Sequence, residues 1–250
     1  MDYSHPLGNV KIGLIKLLSR MFSLVSLNFL KLFFRLDKNN SEVIISSAFF
    51  APWKEDKQFQ KLNLQISGTT LLDNKRLYTL HYLAKSLKNV NGDIFDIGCL
   101  KGGAGYVMSY VNKKGKTHLI DSFEGIIENE KFHTRDHFIF KNVNFVKNKI
   151  KKLKLKNTFV HKGIFPNSFK KKFIKKKIKL CHIDVNTYLS TKKTFEFIEK
   201  KVLKNGVIVF DDYGIYSVNG VKNFVDSLMK NNNNFTFINN YMGQCILIKK

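Results

Sequence analysis

From Asp93 to Ile248 short apolar runs alternate with longer amphipathic stretches, and this rhythm constrains the fold more than any other feature of the chain. The runs predicted as strands are Asp93–Ile97, Thr117–Asp121, Thr158–Lys162, Ile178–Asp184, Val207–Phe210, Phe235–Ile238 and Cys245–Ile248. Helical stretches lie between the first five and after the fifth. That order, βαβαβαβαβ, implies a parallel sheet with helices on both faces. The last two runs are joined by NNYMGQ with no helix and read as an antiparallel hairpin at the sheet's edge. One more helix is expected over residues 73–88, DNKRLYTLHYLAKSLK, just ahead of the first strand. The fold class is therefore α/β, with a seven-stranded, mostly parallel sheet.

At 250 residues the chain has room for one sizeable domain and an appendage. Residues 1–67 are expected to form an N-terminal helical extension and residues 68–250 the α/β domain. Within the extension, residues 10–36 read as an amphipathic helix. Leu14, Leu18, Met21, Val25, Phe29 and Leu32 share one stripe, while Lys16, Arg20, Lys31 and Arg35 fall opposite. The longest uncharged run, Met21–Leu30, is far short of the ~20 apolar residues a spanning helix needs. Charges interrupt the stretch and no small-residue cleavage site follows, which argues against a signal peptide. The expected role is packing on its own domain or on a second copy in a homo-oligomer. The alternative is peripheral contact with an anionic membrane through residues 10–36.

The net charge of +24 would ordinarily point to nucleic acid. The excess, however, is 39 Lys against 4 Arg, accompanied by 25 Asn. Lys and Asn both have A/T-rich codons, so compositional drift of a genome produces this bias without a polyanionic partner. Specific nucleic-acid readers rely on Arg for bidentate contacts, so nucleic acid is not the expected partner. Cys99, Cys181 and Cys245 are odd in number, widely spaced and set among apolar residues. They suit neither a disulfide framework nor a CxxC metal site, and a reducing, cytoplasmic compartment is expected.

The chemistry sits at strand ends. GDIFDIGCLKGGAGYV places Asp96 at the end of the first strand, followed by Gly98, Gly102 and Gly103 in the turn into a helix. Ligands of open α/β sheets bind beyond the carboxyl ends of the strands, where glycine lets the backbone come close. The turn is not a GxGxxG phosphate fingerprint, and an acid ahead of the first glycine suits a cationic ligand better than a pyrophosphate. S-adenosylmethionine, with its sulfonium and ammonium, has that charge. The second strand ends in IDSFEG, placing Asp121 25 residues after Asp96, the usual position for an acid that binds ribose hydroxyls; Ser122 and Phe123 follow it. IKLCHIDVN ends the fourth strand with Asp184, and GVIVFDDYG ends the fifth with Asp211 and Asp212. Three acids crowded on one apolar-walled rim repel unless a cation sits among them. Oxygen donors alone suit Mg²⁺ or Mn²⁺ rather than zinc.

Taken with TTLLDNKRLYTL, HKGIFPNSF, GVKNFVDSLM and above all HIDVNTYLSTKKTFEFIEKKVLKNGVIVFDDYG, these motifs resemble the macrocin O-methyltransferase-like enzymes, metal-dependent sugar O-methyltransferases. The resemblance covers residues 68–250. It implies a Rossmann-like class I methyltransferase fold, cofactor binding at Asp96, Gly98, Gly102, Gly103, Asp121, Ser122 and Phe123, and metal binding at Asp184, Asp211 and Asp212. The implied acceptor is a small molecule or glycan with adjacent hydroxyls. One position departs from the pattern HIDxDxYxST: where a second acid is common, this chain has Asn186. An amide cannot take a proton at neutral pH. Beside Asp184 and Asn186, His182 and nearby Tyr188 remain as protein candidates for the base, though His182, two residues deeper in the strand, suits a hydrogen-bonded core position. The alternatives are an RNA methyltransferase and a cofactor-binding relative with impaired catalysis.

Overall fold

The computed structural model describes residues 51–250 apart from 131–133, 136 and 216–217, together with Leu17, Leu18, Met21 and Val25. Those four are helical and exposed; the rest of the helix expected over residues 10–36 lies outside the described residues. The chain divides into two compact units, residues 1–52 and 53–250, and the second carries the sheet and the site.

Seven α-helices and seven strands follow a helical turn at Pro52–Glu55 in the described residues. They run α1 (Lys57–Gln65), α2 (Asn74–Ser86), β1 (Asp93–Ile97), α3 (Gly103–Val111), β2 (Thr117–Asp121), α4 (Val143–Lys152), β3 (Thr158–Lys162), α5 (Lys170–Phe173), β4 (Ile178–Ile183), α6 (Tyr188–Ile198), β5 (Val202–Asp211), α7 (Asn219–Asn231), β6 (Phe235–Asn240) and β7 (Gln244–Lys249). α1, α2, α4 and α6 begin where a side chain closes open backbone amides. Asp73 accepts from Lys75 N and Arg76 N ahead of α2, and Thr187 accepts from Ser190 N ahead of α6.

The sheet order is β3-β2-β1-β4-β5-β7-β6. β1 to β5 are mutually parallel, and β7 runs antiparallel to both β5 and β6. The expected edge hairpin is present, but its second strand, not its first, pairs with β5. Residue alternation splits the core between the two faces. Ile94, Leu119, Leu180 and Val207 pack under α1 to α4, with Phe59, Leu80, Tyr106 and Val146. Phe95, Ile120, Cys181 and Ile208 pack against α5 to α7, with Phe173, Phe195 and Phe224. Phe59, Leu62 and Ile66 thus belong to the domain's own core, ahead of residue 68.

β5 starts five residues earlier than its apolar run suggests, because Lys204 and Asn205 are exposed and the ladder with β4 shifts register between Ile178 and Leu180. At the amino edge of the sheet, Lys179 is fully buried. Its ammonium donates to Val90 O at 3.1 Å and Lys114 O at 2.8 Å, and burial pulls it down to about 8. Among the described residues no helix is long and apolar enough to cross a membrane.

Candidate active site

The strand order reverses between β1 and β4, the switch point at which open α/β sheets bind ligands. A cavity of about 290 Å³ opens there. Its floor is the carboxyl ends of β1, β2, β4 and β5. Thr69–Leu72 and Arg76 wall one side, and the segment after β2 supplies Ile126, Ile127 and Phe138. That segment is tied to α6 by Glu128, which accepts from Thr187 Oγ1 at 3.2 Å and Ser190 Oγ at 2.7 Å.

Gly98 takes φ +87°, and a Cβ there would lie 1.8 Å from Asp184 O, so only glycine lets the turns after β1 and β4 touch. Asp184 N donates to Ile97 O at 2.8 Å across the same contact. Gly102 and Gly103 do not line the cavity. They seat α3 closely: a Cβ on Gly102 would strike the Tyr106 ring, and one on Gly103 the Thr69–Thr70 backbone and side chain. Asp121 and Ser122 line the cavity, whereas Phe123 is buried in the core and does not line it. Asp121 holds the turn as well as facing the ligand space: Oδ2 accepts from Leu100 N at 2.8 Å and Oδ1 from Phe123 N at 2.6 Å. Burial pushes its carboxyl above the ordinary range despite these bonds.

Asp96 is placed differently from the expectation of a carboxylate facing the cofactor. It is absent from the cavity wall and fully buried, because its neighbour across the sheet is His182 on β4. His182 Nδ1 donates to Asp96 Oδ1 at 2.8 Å. On its other side His182 Nε2 lies 3.7 Å from Asp211 Oδ1. Burial alone would discharge this imidazole, but Asp211 and Asp96 outweigh it and raise the ring to about 10.

Asp184, Asp211 and Asp212 do converge on the cavity with Asn186. Burial, then Asp211 and Asp212, push Asp184 well above the carboxylate range. Burial and Asp211 likewise raise Asp212 to about 6. Burial also opposes ionisation of Asp211, but His182, Arg76 and Gln244 more than compensate and hold it low. Asn186 adopts φ +62°, a conformation asparagine tolerates, and its Nδ2 donates to Asp212 Oδ2 at 3.4 Å.

Arg76 was missed from sequence. Its Nη1 donates to Asp211 Oδ2 at 2.6 Å and Asp212 Oδ1 at 3.0 Å while Nε donates to Asp73 Oδ2 at 3.1 Å. One planar fork thus spans three acids, a task lysine's point charge cannot perform. Its scarcity, one of four arginines among 39 lysines, was the available signal. Gln244 on β7 was missed too; its Nε2 donates to Asp211 Oδ1 at 2.9 Å.

The family description Macrocin-O-methyltransferase (TylF) matches residues 26–249. The chain belongs to the macrocin O-methyltransferase family. It is accordingly an S-adenosylmethionine-dependent O-methyltransferase with a Rossmann-like fold. The match starts well ahead of residue 68, where the motif resemblance begins. By sequence, none of the curated proteins matches. Solved structures share the fold. The O-methyltransferase NovP is 20% identical over 73% of this chain and 82% of its own, with a TM-score of 0.64. The calicheamicin methyltransferase CalS11 is 13% identical over 85% and 99%, with a TM-score of 0.58. An O-methyltransferase from Bacillus cereus, in complex with SAH, is 14% identical over 83% and 94%, with a TM-score of 0.55.

Proposed function

We propose that this macrocin O-methyltransferase family member methylates a hydroxyl of a sugar that carries a second, adjacent hydroxyl, with a divalent ion at Asp184, Asp211 and Asp212. The observation that carries the reading is the charge of the acid cluster. Asp96, Asp184, Asp211 and Asp212 gather around two cations, Arg76 and His182. These carboxylates outnumber the two cations by two, and burial together with the charge of Asp211 and Asp212 pushes Asp184 well above its ordinary range. A divalent ion fits that deficit. When bound, such an ion holds substrate oxygens and acidifies the attacking hydroxyl. CalS11, described as a TDP-rhamnose 3'-O-methyltransferase, supports a sugar acceptor.

The chain's own residues supply alignment, which dominates an in-line methyl transfer. Asp121 receives the ribose hydroxyls, and the Gly98–Leu100 turn brings backbone against the cofactor. Ile126 and Phe138 exclude water from the transfer path. Arg76 fixes Asp211 and Asp212 against each other, and Asn186 orients the acceptor. With an amide at 186, where the family pattern has an acid, the hydroxyl proton leaves to water.

The test is turnover of S-adenosylmethionine with a panel of free and nucleotide-linked sugars. Activity should vanish in EDTA and return with Mg²⁺ or Mn²⁺. Full turnover in EDTA would reject the ion and return the acids to a purely structural role.

A further inference from the structure

We propose that the β3 edge of the sheet docks on an anionic lipid surface, held by the lysines of α4 and α5 and by apolar side chains that stand among them. The inference is independent of the ion and of the acceptor.

Placement carries it rather than number. Residues 137–183 hold 15 lysines and neither an acid nor an arginine, so they supply 15 of the 24 net charges. All 19 acids lie elsewhere. Compositional drift raises lysine throughout a chain; it does not clear one stretch of every carboxylate. The fold then gathers that stretch in one place. β3 ends the sheet, with β2 as its neighbour. Beside it α4 covers one face, burying Val146 and Ile150, and α5 covers the other, burying Phe173. Lys147, Lys151 and Lys152 on α4, Lys170 and Lys171 on α5, and Lys175 in the turn that follows are all left exposed. Among the described residues two lysines of the stretch meet an acid: Lys162 Nζ lies 3.0 Å from Glu124 Oε1, and Lys176 Nζ 2.6 Å from Asp93 Oδ2. The others crowd like charge on one edge, a cost that an anionic partner removes.

A bilayer fits this patch better than nucleic acid. Readers of nucleic acid depend on the planar arginine fork, which the stretch lacks. Its second ingredient is apolar. Ile174 is 63% exposed within KKKFIKKK, and Phe159 on β3 is 40% exposed, with Lys116 Nζ 5.3 Å from its ring centre. A headgroup layer accepts that mixture, with ammonium groups at phosphate level and hydrocarbon below them. Lysine on an edge strand also keeps sheets from joining edge to edge. That accounts for Lys162, on β3 itself, and leaves the helical lysines unexplained. Gly163 and Ile164, directly after β3, line the cavity, so the docking face borders the site.

The experiment sediments the full chain with vesicles of phosphatidylcholine alone, or mixed with phosphatidylglycerol. Salt is raised from about 0.1 M to about 1 M, which shortens the screening length from about 10 Å to about 3 Å. Binding should require phosphatidylglycerol and weaken steeply at the higher salt. Lys151→Gln, Lys152→Gln, Lys171→Gln and Lys175→Gln combined should weaken it on the order of 100-fold, each lysine near an anionic surface being worth about fivefold. Ile174→Ser should weaken vesicle binding severalfold and leave the binding of double-stranded RNA unchanged. None of these side chains lines the cavity, so unchanged calorimetric affinity for S-adenosylmethionine shows that the variants are folded. Should a variant lose that affinity, lysine acetylation of the wild type, read by mass spectrometry, decides: vesicles should protect Lys151 and Lys171, and equal labelling with and without lipid overturns the proposal. Wild type that ignores phosphatidylglycerol overturns it, as does undiminished binding by the lysine variant, which places the lipid contact elsewhere on the chain. RNA bound more tightly than the vesicles, with Ile174→Ser matching wild type on both, assigns the patch to nucleic acid instead.

Discussion

Asp121→Asn separates a carboxylate that builds the cofactor turn from one that merely caps it. Both oxygens of Asp121 already accept backbone amides, from Phe123 N at 2.6 Å and Leu100 N at 2.8 Å. Asparagine has the same shape but only one oxygen, so one of those amides must face an NH₂ group. A bond to a charged acceptor is worth about 1.5–3 kcal/mol, and the surviving one weakens as the charge goes. Part of this returns, because burial had penalised the ionised carboxylate. The net cost to the turn is about 1–3 kcal/mol, which as binding is about 5- to 150-fold in affinity. Calorimetric titration of wild type and variant with S-adenosylmethionine measures it, with near-ultraviolet circular dichroism confirming that the variant is folded. A folded Asp121→Asn protein binding within about twofold of wild type would refute the reasoning, since about 0.4 kcal/mol cannot accommodate the loss of an acceptor.

Gly98→Ala should lose both cofactor affinity and several kcal/mol of stability, since its Cβ would sit 1.8 Å from Asp184 O at φ +87°; wild-type urea unfolding together with wild-type binding would refute it. Lys179→Met should remove a pH dependence. The buried ammonium titrates at about 8 rather than 10.5, so between those values the unfolded chain holds more protons and stability rises with pH. Wild type should gain up to about 3 kcal/mol relative to Lys179→Met across that window, at about 1.4 kcal/mol per pH unit. Urea midpoints that track each other at both ends of the window would refute this, showing that Lys179 stays charged in the folded chain as it does in the unfolded one.

The strand-end acids were legible because a buried parallel strand is an apolar run that stops abruptly, and Asp121, Asp184 and Asp211 mark where it stops. β1, β2 and β3 are bounded where their runs are bounded. What failed were relations across the sheet. Asp96 looks like a ligand-facing acid until the register sets it beside His182, 86 residues away. Arg76 meets its acids 135 and 136 residues on, and on α2 it reads as one more basic residue. The order of β6 and β7 was also hidden, since two apolar strands joined by a turn carry no mark of which one pairs with β5.

The contact between Gly98 and Asp184 leaves no atom between the cofactor turn and the acid cluster. With Asp184 N bonded to Ile97 O, neither turn moves alone without breaking that bond or overlapping the other. An ion bound at Asp184 as proposed would therefore be linked to the cofactor reciprocally: whatever factor it applied to the affinity for cofactor, the cofactor would apply to the affinity for the ion.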